Sequence, residues 1–354
     1  MKFVINGDFF AKPVTGVQRY AMEITKQLDL LLKDVEFDVE ILVPVDCSVP
    51  LKFKNIRIVR YGKNIRFVWQ QLFLSHYCRK MKAICICLCT VPPILYSRCT
   101  VLVVHDASML VNPQYYSKKF LFYNKVLCWS QGDKLKRIVT VSKFSKNELD
   151  KYWINGRRDI NVIPNAADHI LDISPDDTVL DKFKIKPHSY YYALSSLSPN
   201  KNFKWILENA KYNPNECYVV SGKKIDIYSD SSFKEIPENV LFTGYVSDGE
   251  MVSLMKNCKA FIFPTLYEGF GITPLEALML GKKIIISDIP VMHEVYEDSA
   301  IYINPHKYDY SIEELYTLAE GKQNTIMGKY SWKKSALGLK SLIGEIEAEK
   351  ETRI

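Results

Sequence analysis

Two glutamates, Glu268 and Glu276, stand eight positions apart in YEGFGITPLEALMLG (Tyr267 to Gly281), with Gly269, Gly271 and Pro274 between them. A strand-like apolar run, KAFIFP, precedes them, and ITPLEALMLG reads as a short helix. Glu268 therefore falls at the carboxyl end of a strand, where ligands bind in open α/β sheets. The two glycines allow the backbone to approach a ligand closely, and the N–H groups of Ile272 and Thr273 at a helix start suit a phosphate. A carboxylate beside a phosphate repels it unless it serves another group, and sugar hydroxyls are the obvious donors for Glu268. Glu276 has a structural role open to it. Thr273 at the cap, Pro274 at the first helical position and Glu276 at the third form a capping box, with Gly281 as terminator. Its carboxylate would then accept the N–H of Thr273 and stabilise the helix by about 1 kcal/mol.

The elements that must hold these residues alternate short apolar runs with longer helical patterns, which argues for parallel α/β domains. The first half offers strands at KFVI, VEILVPV, IRIVRY, AICICL, TVLVVH, RIVTVS and INVIP. Between them, VQRYAMEITKQLDLLL places Val17, Tyr20, Ala21, Ile24, Leu28 and Leu31 on one stripe, and SKFSKNELDKY opens on a serine cap at Ser142. A polar, turn-rich stretch after Pro164 marks a domain boundary, and YYYALSSL, CYVVSG, NVLFTG, KAFIFP, KKIIIS and AIYINP repeat the pattern. The expected fold is α/β: two doubly wound, Rossmann-like domains facing across a cleft, residues 1–170 and 171–331. A closing helix from Trp332 would pack back on the first domain.

A chain of 354 residues suits two domains, and 47% hydrophobic with 25% charged residues is ordinary for a folded protein. No apolar run approaches the ~20 residues of a membrane span, and MKFVINGDFF lacks the features of a secretory leader, so a cytoplasmic location is expected. Of the nine cysteines, Cys85, Cys87 and Cys89 share a strand face and read as small buried hydrophobes rather than metal ligands. Residues 1–150 hold 23 Lys and Arg against 12 Asp and Glu. Many of these bases lie between Lys52 and Lys82, with Trp69, Phe73 and Tyr77 at helical spacing. Such a face suits an anionic membrane, a lipid diphosphate or nucleic acid, unless it is a solvated basic face over a core-facing aromatic stripe. The dinucleotide fingerprint, the P-loop, the serine-hydrolase elbow and any Asp-x-Asp pair are all missing.

EGFGITPLEA resembles the signature of family-four retaining glycosyltransferases of the GT-B fold, in which two glutamates are separated by seven residues. TGVQRYAMEI, VVHDAS, TVSKFSKNEL, VIPNAAD, SLSPNKN and FTGYVSD are similar to further motifs of that family, in order along the chain. The resemblance implies a transferase, of the kind that builds surface polysaccharide or O-antigen, using a nucleotide-diphosphate sugar and no metal or other cofactor. It implies that Glu268 holds donor-sugar hydroxyls, with backbone contacts from Phe270 and Gly271, and that Glu276 holds the ribose, in competition with the capping role. Lys201 would neutralise the departing diphosphate with help from Gly16, His105 would contact the sugar near the reacting carbon, and Tyr245 and Val246 would line the base. A lysine and helix-end dipoles can stabilise a leaving phosphate without metal.

The sequence departs from that pattern at Ser196, where arginine is frequent, at Asn200, where a second base is frequent, and at Ala166, where glycine is usual. More of the diphosphate charge then falls on Lys201, with Lys204 as a possible helper. The resemblance places the acceptor, a glycan or a polyprenyl-diphosphate-linked oligosaccharide, on the N-terminal domain. A basic, aromatic helix around Arg66 to Lys82 would bring the protein to the inner face of the cytoplasmic membrane. The competing readings are a GT-B-like nucleotide-sugar isomerase or epimerase, a phosphorylase, which would want a pyridoxal lysine, and a nucleic-acid-binding protein. The last is disfavoured, because the bases are spread over several elements and no nucleic-acid module is recognisable.

Overall fold

A computed structural model describes residues 1–33, 37–89, 91–194, 198–222, 236–322 and 324–351. The chain divides into two compact units, Met1–Ala166 with Ser331–Ile354, and Ala167–Tyr330.

The first unit is built on seven parallel strands: β1 (Lys2–Asn6), β2 (Asp38–Val43), β3 (Arg57–Arg60), β4 (Ile84–Cys87), β5 (Thr100–Val103), β6 (Arg137–Thr140) and β7 (Ile160–Val162). Their order is β3-β2-β1-β4-β5-β6-β7, so the order of the strands reverses between β1 and β4. Helices cover both faces of such a sheet, which is why the central strands read as continuous apolar runs. All four residues of β4 are buried, and all but the first of β1. Cys85 and Cys87 lie inside this core with their sulfurs 3.7 Å apart, while Cys89, past the strand end, donates to the Val17 carbonyl.

Helix α1 (Gly16–Leu31) buries Tyr20, Ala21, Ile24 and Leu28. Its Asp29 carboxylate is also buried and accepts the N–H groups of Lys54, Asn55 and Ile56, which fixes the entry to β3. The C-terminal helix, Trp332–Glu351, lies along α1. Trp332 meets the Tyr20 ring edge-on at 6.0 Å, and Ser335 donates to the Pro164 carbonyl at 2.6 Å. Two shorter helices matter below: α2 (Lys118–Leu127), capped by Ser117, and α3 (Lys143–Leu149), capped by Ser142.

The basic aromatic stretch is helical but not uniform. A π-helical turn, Trp69–Leu74, separates Arg66–Val68 from Ser75–Met81. Trp69 is buried and donates its indole N–H to the Tyr61 carbonyl, and Tyr77 donates to Glu40. The aromatic stripe faces the core, so Trp69 and Tyr77 are not presented to a membrane. The outward residues include Val68, Leu72, His76, Arg79 and Lys80.

The second unit holds six parallel strands: β8 (Tyr190–Leu194), β9 (Cys217–Ser221), β10 (Val240–Gly244), β11 (Ala260–Phe263), β12 (Lys283–Ser287) and β13 (Ile301–Ile303). Their order is β10-β9-β8-β11-β12-β13, with the reversal between β8 and β11. Three of its helices carry the site: α4 (Phe203–Tyr212), α5 (Asp248–Lys256) and α6 (Ile272–Met279). Each unit is a doubly wound Rossmann-like sheet, the organisation of the GT-B fold.

Candidate active site

The loops leaving β8 and β11 emerge side by side, because these strands pair directly at Tyr192 and Phe261 where the strand order reverses. That is the crevice in which open α/β sheets bind ligands. The β8 loop contains the short turn Pro199–Lys201 and ends at Asn202, whose φ of +51° begins α4. Ser196 lies outside the described residues. The β11 loop runs through Thr265 and Glu268 to Gly271.

These loops are stitched together. Asn200, where the sequence lacks a second base, accepts the Leu266 N–H through its carbonyl at 2.6 Å and donates its side-chain amide to the Tyr267 carbonyl at 3.1 Å. Asn202 donates to the carbonyls of Pro264 and Pro305 at 2.9 and 2.8 Å. Held this way, Lys201 Nζ sits 2.5 Å from Glu268 Oε1, and Thr265 Oγ1 is 2.9 Å from the same oxygen. Both side chains of the pair are largely buried, with 24% and 13% exposure. The Lys201 ammonium also lies 5.0 Å from the centre of the Phe263 ring. A cation and a hydroxyl-accepting carboxylate thus meet between the two loops, and an anion entering there would compete with Glu268 for Lys201. Lys204, the candidate helper, points instead to the Tyr308 ring at 5.7 Å.

The structure corrects the capping role of Glu276. Helix α6 begins at Ile272, and its cap residue is Gly271, which makes no side-chain cap bond. The cause is the left-handed backbone of Gly271, with φ of +81°, which turns the chain into the helix before Thr273 is reached. Glu276 then lies in the second turn, beyond reach of the Thr273 N–H. It is buried instead, with Oε1 3.2 Å from Nε2 of the buried His169. Pro274 is tolerated because first-turn N–H groups have no carbonyl within the helix. For the same reason the N–H groups of Ile272 and Thr273 are available for an anion.

Gly271 is constrained twice over. A Cβ there would come within 2.9 Å of Met292 Cε, and its carbonyl accepts the hydroxyl of the buried Tyr296. Burial first, and then the negative charges of Glu268 and Glu276, hold the Tyr296 phenol well above its ordinary value, so it stays a neutral donor. Phe270, buried against the edge of Tyr330 at 5.1 Å, anchors the other side of the turn.

Residues 180–333 match the family model described as glycosyl transferases group 1. Most of the second unit is therefore similar to the group 1 glycosyl transferases. A relative from Salmonella typhimurium, the O-antigen chain mannosyltransferase RfbU, is 30% identical over 212 residues, which is 57% of this chain and 56% of that protein. The O-antigen chain mannosyltransferase B of Escherichia coli is 25% identical over 219 residues, 58% of this chain and 57% of that one. The chain thus spans little more than half the length of these relatives. Among solved structures, a sucrose-phosphate synthase from Thermosynechococcus elongatus superposes with a TM-score of 0.74 at 12% identity, covering 98% of this chain and 99% of that one. HepE of Anabaena in complex with UDP-glucose gives 0.62 at 14% identity, covering both chains fully.

In the second unit the residues named for the base are at the end of β10. Tyr245 is 84% exposed and Val246 is partly buried. They precede α5, where Ser247 and Glu250 form a complete capping box, so the device expected at Thr273 occurs here. Gly16 and His105 belong to the first unit. Gly16 is exposed at the first position of α1. His105 follows β5, is buried against the edge of Tyr20 at 4.9 Å, and bonds the Leu88 carbonyl at 2.9 Å. A carbonyl only accepts, so Nε2 carries the proton. Burial lowers the His105 pKa to about 4, only partly offset by that bond, and the ring is neutral at pH 7.

Two site residues carried no sequence signal, Thr265 and His169, and Asn202 closes the SLSPNKN motif without a role assigned to it. His169 lies in the polar stretch read as a domain boundary and meets Glu276 only through the fold.

Proposed function

We propose that this protein is a retaining, metal-independent hexosyltransferase of O-antigen or lipopolysaccharide assembly. It moves a sugar from a nucleoside-diphosphate sugar to a glycan or polyprenyl-diphosphate-linked acceptor. The observation that carries this reading is the Lys201–Glu268 pair at the carboxyl ends of adjacent strands β8 and β11, beside the open first turn of α6. The names of the O-antigen relatives favour mannose as the sugar.

In this reading Lys201 and the N–H groups of Ile272 and Thr273 take the diphosphate. Glu268, released from Lys201, accepts donor-sugar hydroxyls, and Glu276, with His169 Nε2 3.2 Å away, accepts those of the ribose. The anomeric C–O bond breaks with its electron pair leaving on the diphosphate, whose charge Lys201 and the α6 amides stabilise without a metal. The acceptor oxygen bonds to the anomeric carbon on the face the diphosphate leaves, and its proton passes to the departing phosphate oxygen. His105, neutral at pH 7, acts in this reading as a hydrogen-bonding group rather than as a charge.

Among the described residues no helix is long and apolar enough to cross a membrane. A peripheral position at the inner face of the cytoplasmic membrane is supported by the exposed Phe120, Phe122 and Val126 of α2, interleaved with Lys118, Lys119 and Lys125. Apolar side chains among lysines suit an anionic bilayer.

The test is incubation with labelled nucleoside-diphosphate sugars and a lipid extract containing polyprenyl-diphosphate glycans, with the product's anomeric configuration read by NMR. Transfer with retention, unaffected by EDTA, is expected. Inversion, or loss of activity on chelation, overturns the mechanism, and absence of transfer from every donor overturns the function.

A further inference from the structure

The edge of the first sheet opposite His105, where the strands begin, carries an excess of cations. An open hollow of about 610 Å³ there is lined by Arg98, Lys134, Lys136, Arg137 and Arg158, with Glu349 from the C-terminal helix. Asp133 also borders it, but its carboxylate is paired with Arg157 at 2.5 Å. Arg158 is fixed by donating to three main-chain carbonyls, those of Gly132, Leu135 and Lys136. Burial and the adjacent Arg137 guanidinium pull its pKa below the ordinary arginine value, a sign of crowded positive charge.

Glu349 shows what such a place holds. One carboxylate oxygen takes the Lys136 ammonium at 2.5 Å, and the other takes the Arg137 guanidinium. The carboxylate is 37% exposed, so solvent-borne anions can reach the same cations. Arg98 and Lys134, both exposed on the rim, make no ion pair with any described residue. Two oxygens of one small oxyanion, each on its own cation, with three further cations lining the same hollow, is the charge pattern of a phosphate seat.

We propose that this hollow is a second anion site, which takes a phosphate monoester or diester group, and that Glu349 is its built-in competitor. The phosphate comes from a free phosphorylated compound or from a lipid headgroup. The site is independent of Lys201 and lies in the other unit.

The test compares wild type, Glu349→Gln and the double variant Arg98→Ala with Lys134→Ala, using calorimetric titration with inorganic phosphate at low salt. Flotation with phosphatidylglycerol vesicles forms a second arm. Removing the competing charge should tighten binding by roughly fivefold, the size of one half-exposed charge pair, and removing the two rim cations should weaken it by about as much. The rim cations have no ion pair to lose, so melting curves of the double variant should match wild type. Opposite responses in the titration assign a site open to free phosphate, and opposite responses in flotation alone assign a headgroup. Phosphate held only near Lys201 is indifferent to Glu349, so unchanged curves for Glu349→Gln in both arms overturn the proposal, as does a double variant that binds like wild type.

Discussion

Glu268→Gln separates a catalytic Glu268 from a structural one, because the two roles move nucleotide affinity and turnover differently. The Glu268 carboxylate engages Lys201 at 2.5 Å and the Thr265 hydroxyl at 2.9 Å. A bound diphosphate must draw Lys201 away and tolerate the carboxylate. At roughly 6 Å and an effective dielectric of about 20, one such charge repels a phosphate charge by about 3 kcal/mol, which solvent at a site open to ligand cuts to about 1 kcal/mol. Gln keeps an oxygen for a sugar hydroxyl but removes both the repulsion and the competition for Lys201. Nucleoside diphosphate should therefore bind about fivefold tighter to Glu268→Gln, while transfer falls by roughly a hundredfold or more, as expected when a charged group acting in the transition state is lost. Calorimetry with the product nucleotide and a steady-state transfer assay read the two effects. Weaker nucleotide binding together with a lowered melting temperature would refute the reasoning, since it would mean that Glu268 chiefly holds Lys201 in place.

Gly271→Ala places a Cβ at φ of +81° and within 2.9 Å of Met292 Cε, and should lower stability by about 1–2 kcal/mol, or several degrees in the melt. His169→Ala leaves the buried Glu276 carboxylate without its neighbour at 3.2 Å and should weaken nucleotide binding several-fold, with His169→Gln recovering part of the loss in the same titration. The lowered His105 pKa also sets a pH dependence. Above pH ~6.5 the ring is neutral folded or unfolded, and as pH falls toward about 4 the unfolded chain gains a proton that the native state refuses. Stability should thus drop by up to about 3 kcal/mol over that window, and His105→Gln should flatten this part of the melting profile.

The strands were legible because both sheets are parallel and covered on both faces, which makes each strand a continuous apolar run. AICICL, KAFIFP and KKIIIS became β4, β11 and β12 with every core-facing and outward residue enclosed or nearly so. Glu268 was legible for a related reason: a polar residue after an apolar run, followed by glycines, marks a strand end with close backbone approach. The role of Glu276 was not, because the Thr-Pro-Leu-Glu spacing suits a capping box equally well, and only the left-handed turn at Gly271 moves the helix start. His169 and Thr265 could not be found from spacing, since contacts between distant segments leave no local period. The aromatic stripe at Trp69 and Tyr77 was open between core and surface, and packing against Tyr61 and Glu40 decided it.

The central claim is that the second unit binds a nucleoside-diphosphate sugar through Lys201, Glu268 and Glu276. A thermal-shift panel of uridine, guanosine, adenosine and thymidine diphosphates and their sugars, run on wild type and Glu276→Ala, tests it most directly. One nucleotide at a hundred times its Kd should stabilise wild type by about 2.7 kcal/mol, and the Glu276→Ala protein far less. If no member of the panel shifts the wild-type melt, or if both proteins shift alike, the account is contradicted.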